Sequence, residues 1–277
     1  MVAAVAPGPV PALLAKSQDS CQRRVGAIFR RTPDRTRGMS NKIFINHSAN
    51  PTIAEPPTRG GDYASWLHYQ SPFEELVNTV THGLGLVLSI GGLALLVTLS
   101  GIDGTIWHVV SSSIYGTSLV LVFAASTCYH AAPYSQAKRR LRVAEQALIF
   151  VLIAGTYTPF TLVALGSGWG WSLFGVVWIL AILGIILNTT RFHRHASVSV
   201  ALYLGLGWLG LVSIFPLKDA LAPGGLIWLF SGGIAYSVGV VFLSWRKLPL
   251  NHGIWHVFVL IGSLFHYFAV LFYVLPK

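Results

Sequence analysis

His252 and His256 stand four residues apart in Asn251-His252-Gly253-Ile254-Trp255-His256, at the mouth of the last apolar run. On a helix that spacing puts both rings on one face, one turn apart. Two imidazoles so placed can grip one metal ion, and a zinc site asks for at least one more ligand. The plainer reading is a pair of interfacial histidines with their polar tips in water. A third ligand is available in His130, which closes the earlier run Ser126-Thr127-Cys128-Tyr129-His130. Ser126 lies one turn from His130 on the same face. Its hydroxyl could bond a metal's water or a substrate carbonyl, or turn back to its own helix backbone. Glu145 opens the next apolar run. It suits either an outer-shell base or a cap at a positive helix N-terminus.

The medium that must position these residues is set by composition. Of 277 residues, 53% are hydrophobic and 10% charged, against about 25% charged in a soluble domain. Such a chain cannot hide its apolar surface inside itself, so it belongs in a bilayer. The formal net charge of +10 does not point to nucleic acid, because the basic residues sit in an N-terminal tail and in short breaks between apolar runs. Cys21 lies in the tail and Cys128 in an apolar run, which argues against a disulfide framework.

Residues 1–71 are rich in Pro, Ala, Ser and Arg and lack a sustained apolar period. They read as a disordered or loosely held basic tail. Residues 1–38, Arg-rich and poor in acids, resemble a targeting peptide. Alternatively, Met39-Ser40-Asn41-Lys42 is an ordinary start, and the first 38 residues an over-called one.

Residues 72–277 form the second region. Seven apolar runs follow one another, at about 76–100, 105–129, 146–166, 170–189, 198–216, 222–244 and 254–275. Each approaches the roughly 20 residues a helix needs to cross a bilayer. The runs are continuous rather than alternating, which favours helices over barrel strands. The fold expected is an all-α integral membrane protein, a seven-transmembrane helix bundle.

Lys and Arg then orient it. The tail carries Lys16, Arg23, Arg24, Arg30, Arg31, Arg35, Arg37, Lys42 and Arg59. The 2–3 loop carries Lys138, Arg139, Arg140 and Arg142, the 4–5 loop Arg191 and Arg194, and the 6–7 loop Arg246 and Lys247. Only Lys218 and Lys277 fall on the opposite face, so seventeen of the nineteen sort to one side. Positive residues prefer the cytoplasmic side, which predicts the N-terminus in the cytoplasm and the C-terminus outside. The end of span 2 and the start of span 7 then lie at one depth. His130, His252 and His256 meet there, although topology was drawn from Lys and Arg alone. The alternative is three interfacial histidines that never converge.

Glu75, Asn78 and His82 enter span 1 at spacings that share a face, at the same depth. They read as outer-shell partners or, slightly preferred, as an interhelical polar patch. His108 should be interfacial on the far side, and His266 should hydrogen-bond a neighbouring helix. Gly155-Thr156-Tyr157-Thr158-Pro159 should kink span 3, because proline removes a backbone donor.

At these residues the chain resembles the hemolysin III proteins, the bacterial branch of the progestin and adipoQ receptor family. The matching stretches are Glu74 to Asn78 with Thr81-His82-Gly83, Ser126 to His130, Ala154 to Phe160, and Trp245-Arg246-Lys247-Leu248-Pro249 through His256. Gly262-Ser263 and His266-Tyr267-Phe268 also fit, and the tail is not covered. The resemblance implies a seven-helix membrane fold, located in the bacterial cytoplasmic membrane. It also implies zinc near the cytoplasmic face, held by His130, His252 and His256. The family is similar to alkaline ceramidases, which share a Ser-three-His, an acid and a His-three-His pattern. Two positions depart from the family pattern. Glu145-Gln146 stands where Asp-His is usual, and Gly253 where Glu or Gln is common.

Three functions compete. The first is a zinc-dependent, ceramidase-like hydrolase acting on a lipid amide or ester, with Ser126 and Glu145 as catalytic residues. The second is a non-catalytic receptor or sensor in which zinc ties span 2 to span 7. The third, from the family name, is a cytolysin or pore former. Expected partners are membrane lipids and a lipid-amide substrate, with no nucleic acid.

Overall fold

The computed structural model describes residues 70–190 and 196–275. The basic tail, Arg191, Arg194 and Lys277 lie outside the described residues. Helix α1 is Pro72–Asp103, α2 Ile106–Ala131 and α3 Gln136–Pro159, which runs on as a π-helical turn, Phe160–Leu165. Helix α4 is Gly168–Thr189. The fifth span is built from α5, Ala196–Trp208, a 3-10 segment, Leu209–Ser213, and α6, Ile214–Ala220. Helices α7, Pro223–Ser244, and α8, Asn251–Tyr273, complete the bundle. Seven stretches are long and apolar enough to cross a membrane. The shortest of them has 22 residues, which as a helix is about 33 Å long, enough for a hydrocarbon layer of about 30 Å.

Local chemistry starts these helices where they start. Ser71 and Glu74 form a reciprocal capping box: Ser71 Oγ accepts from Glu74 N–H at 3.2 Å, and Glu74 Oε2 accepts from Ser71 N–H at 2.8 Å. Pro72 follows at the first helical position, where its missing N–H costs nothing. Ser135 Oγ accepts from Lys138 N–H at 3.2 Å and begins α3, ten residues before the apolar run expected from residue 146. Lys138, Arg139, Arg140 and Arg142 therefore lie inside the helix rather than in a loop. Lys and Arg are good helix formers, so a capped start carries α3 beyond the apolar run. Lys218 likewise belongs to the last turn of α6 and not to a loop.

Around an apolar core, the bundle exposes large apolar side chains and buries many polar ones, unlike a soluble protein. Val80, Val87, Ile179, Ile182, Phe215, Ile227 and Val241 point outward and exposed, whereas Asn78, His82, Ser100, Ser112, Ser126, His130, Thr158 and His256 are buried. In lipid the apolar face needs no cover, and polar side chains serve as interhelical contacts. Ser100 and Ser112 share a hydrogen bond of 2.8 Å between α1 and α2. Tyr236 and Ser263 share one of 2.8 Å between α7 and α8. His266 Nε2 lies 3.0 Å from Leu229 O on α7, the interhelical bond expected of it. Tyr267 donates to Gly92 O of α1 at 3.2 Å.

The disturbance expected at Pro159 takes the form of the π-helical turn beyond it. Gly166 N–H reaches back to Thr161 O at 3.2 Å, and Gly166 closes the turn at φ +53°, a region that glycine enters without steric cost. Tyr157 spans the gap to the fifth span. Its hydroxyl donates toward Leu206 O and Gly207 O at 3.0 and 2.7 Å, and accepts from Gly210 N–H at 2.6 Å. It thereby satisfies backbone groups where that span leaves α-helical geometry.

Among the described residues, Lys138, Arg139, Arg140, Arg142, Arg246 and Lys247 lie at the end where α1 begins and α2 ends, and Lys218 at the other. From that bias we expect this end to face the cytoplasm. A reporter fused after Lys247 should read cytoplasmic and one fused at the C-terminus external. A cytoplasmic C-terminal signal would overturn that orientation.

Candidate metal centre

The last residue of the turn between α7 and α8 and the first of α8 decide how His252 enters the bundle. Leu250 sits at φ +58°, in the left-handed region that a bulky L-residue occupies at a cost of roughly 1–2 kcal/mol. Asn251 Nδ2 donates to Leu243 O at 3.0 Å and ties α8's first residue to the end of α7. Helix α8 then opens at once, so both histidines share its inward face, with Ile254 N–H already bonded to Leu250 O at 2.9 Å.

On that face the two rings lie 4.4 Å apart, centroid to centroid. The His130 ring, from the last turn of α2, lies 5.1 Å from His252 and 4.9 Å from His256. Residues more than a hundred positions apart thus meet as the topology required. Glu145 joins them from α3: its Oε1 is 3.5 Å from His130 Nε2. One donor atom from each of His130, Glu145, His252 and His256 lies within 4.8 Å of the other three.

These residues fit a metal ion. Among the described residues, His130 Nε2, His252 Nε2 and His256 Nδ1 are buried ring nitrogens with no hydrogen-bond partner. Leaving such atoms unpaired is costly unless something occupies the space between them. Two ligands of one tetrahedral zinc are about 3.4 Å apart, so the widest pair must draw in by no more than about 1.5 Å.

The surroundings differ from expectation at two positions. Ser126, fully buried, donates to Glu145 Oε1 at 2.5 Å rather than to its own helix or toward an open space. Glu145 does not open its span, because α3 begins at Gln136. It lies more than two turns inside the helix, too deep for a dipole cap.

Glu75, read from sequence as an outer-shell partner or, slightly preferred, as part of an interhelical polar patch, has Oε2 2.8 Å from His130 Nδ1. One residue escaped the sequence reading. Lys138, read only as a topology charge, is buried with Nζ 3.0 Å from Glu75 Oε1. The signal available was its spacing of seven from Glu145, which places both on one face of α3. His82 stacks on His256 at 3.6 Å between centroids, and His108, half-buried, shares a hydrogen bond with Thr105 at its helix start.

A family model described as Haemolysin-III related matches residues 70–267. The chain belongs to the haemolysin III-related family. Hemolysin-3 of Bacillus cereus is 43% identical over 203 residues, covering 73% of this chain and 93% of that protein. A hemolysin-3 homolog of Bacillus subtilis is 42% identical over 200 residues, 72% of this chain and 94% of the other. More distant is the human monocyte to macrophage differentiation factor, 29% identical over 237 residues, 82% of this chain and 90% of that protein.

With its seven membrane-spanning stretches and bacterial haemolysin III relatives, this is a multi-pass integral membrane protein of the bacterial plasma membrane. Within the haemolysin III frame, Gly253 has a packing reason. A Cβ built there would stand 3.2 Å from Asn78 Oδ1 and 3.2 Å from Val77. The missing side chain lets α1 approach α8 beside the histidines. A separate cavity of about 90 Å³ lies around the π-helical turn, lined by Phe160, Trp208, Phe230 and His266 but by none of the four clustered residues.

Proposed function

We propose that this haemolysin III-related protein is a zinc-dependent membrane hydrolase that cleaves an amide or ester bond of a lipid. The observation that carries the reading is the convergence of three imidazoles and one carboxylate, from three helices, on one buried point. His130, His252 and His256 would hold the ion, since neutral imidazole nitrogens are the ligands zinc prefers beside thiolates. Zinc supplies Lewis acidity there, polarising a carbonyl and easing the ionisation of water.

Glu145 takes up the proton of the attacking water and returns it to the leaving group. Ser126 holds Glu145 Oε1, so the carboxylate cannot rotate away from the histidines. The cavity near His266 lies ten residues beyond His256 along α8, about 15 Å further into the apolar layer, and would receive the lipid's acyl chain. The substrate would enter from the surrounding bilayer.

One observation also favours a non-catalytic reading. Glu145 is within ligand range, and a fourth protein ligand would close the coordination shell, as structural zinc sites do. Zinc would then fasten α2 and α3 to α8 in a receptor or sensor.

The experiment that tests the hydrolase is metal analysis of the purified protein beside its turnover of long-chain N-acyl amides and esters in detergent micelles. One zinc per chain and hydrolysis abolished by chelation and restored by zinc are expected. A zinc-free protein, or a zinc-loaded one inert on every amide and ester, would sink the proposal.

A further inference from the structure

Three contacts close a ring around His130. Its Nδ1 lies 2.8 Å from Glu75 Oε2. The other oxygen, Oε1, lies 3.0 Å from Lys138 Nζ. Lys138 Nζ in turn donates to the carbonyl of His130 at 3.4 Å and to that of Ala132 at 2.9 Å. The Lys138 side chain is 4% exposed and that of Glu75 13%, so each charge leans on protein partners for what water would otherwise supply. A lysine carries three donors and no acceptor, and Glu75 Oε1, His130 O and Ala132 O take all three. The carboxylate is left to accept at Oε2. The ring atom facing that oxygen must therefore be a donor, and a neutral imidazole that donates at Nδ1 is bare at Nε2. His130 Nε2 is the atom without a hydrogen-bond partner, and it faces Glu145 across 3.5 Å.

We propose that Lys138 and Glu75 are positioning residues: together they hold His130 as the Nδ1–H tautomer and turn the Nε2 lone pair into the Glu145–His252–His256 cluster. Lys138 grips His130 twice, at its backbone carbonyl and through Glu75 at its ring. The Nδ1 contact with Glu75 stands whatever fills the cluster; its consequence for metal affinity rests on the zinc reading above.

A carboxylate is required because it accepts on both sides. In Glu75→Gln the lysine, having only donors, claims the amide oxygen. The amide NH2 then faces Nδ1 and drives the ring proton to Nε2, where it blocks the ligand atom. Lys138→Met alone keeps a carboxylate on Nδ1 and so keeps the tautomer. The double variant Glu75→Gln/Lys138→Met frees the amide to turn its oxygen to Nδ1 and restores it. A simple cross-brace between helices would make the double variant at least as defective as either single one.

The test is nitrogen NMR of the His130 ring in full-length protein in bilayers, with metal chelated, alongside zinc affinity of the same variants. We expect the proton on Nδ1 in wild type, Lys138→Met and the double variant, and on Nε2 in Glu75→Gln. Zinc affinity should fall about 10–100-fold in Glu75→Gln, the usual cost of an outer-shell change, and recover in the double variant. A wild-type ring protonated at Nε2 overturns the proposal without recourse to any variant, as does a Glu75→Gln ring still protonated at Nδ1. The expected tautomer pattern in a protein that binds no zinc would sink the zinc reading and leave the positioning roles standing.

Discussion

Replacing His256 with alanine should strip the protein of zinc and weaken the fold. His256 is 1% exposed, stacked on His82 and flanked by His130 and His252. Losing a ligand costs more than losing an outer-shell partner, so affinity should fall by more than about 100-fold. Removing the buried ring also leaves a cavity, worth about 2–4 kcal/mol whatever the metal does. The two effects separate with a control. His266 lies on the same helix but holds Leu229 O, away from the cluster. His266→Ala should lower thermal stability and keep one zinc per chain. Metal content and melting temperature of both variants decide the matter. His256→Ala with wild-type zinc affinity would remove His256 from the ligand set.

Glu145→Gln should do the reverse, keeping zinc and losing hydrolysis. The two side chains have nearly the same shape, and the amide oxygen can still accept from Ser126. What goes is the ability to take a proton. General-base catalysis contributes about 10²–10⁴-fold, so turnover should fall by that much while zinc affinity changes less than about tenfold. Ser126→Ala should cost less, because the base survives and only its orientation loosens. Zinc stoichiometry and single-turnover rates on one preparation separate the two readings of this centre. If zinc leaves with the carboxylate, Glu145 is the fourth ligand and the closed, non-catalytic shell is correct.

The sequence by itself determined the spans and the face of each histidine. Seven apolar runs are legible because a helix in lipid must satisfy its backbone internally and expose apolar side chains along about 20 residues. The period of 3.6 puts His252 beside His256, and the alternation of spans brings His130 to their depth. Tertiary structure decided which polar groups pair. Lys138 reads as a surface charge in sequence, since a long basic side chain is usually solvated. Only the arrival of Glu75 from α1 and of the carbonyls at the end of α2 makes a buried site for its ammonium. The start of α3 was hidden for a related reason. The apolar run marks where helix meets lipid, whereas the Ser135 cap marks where the helix begins, and the charged turns between them have no hydrophobic signature. Glu145 thus moves from a helix end to a helix wall. There it accepts from Ser126 and faces His130 across 3.5 Å rather than capping its own backbone, because contacts between helices depend on which faces meet, a distance that spacing along one helix does not encode.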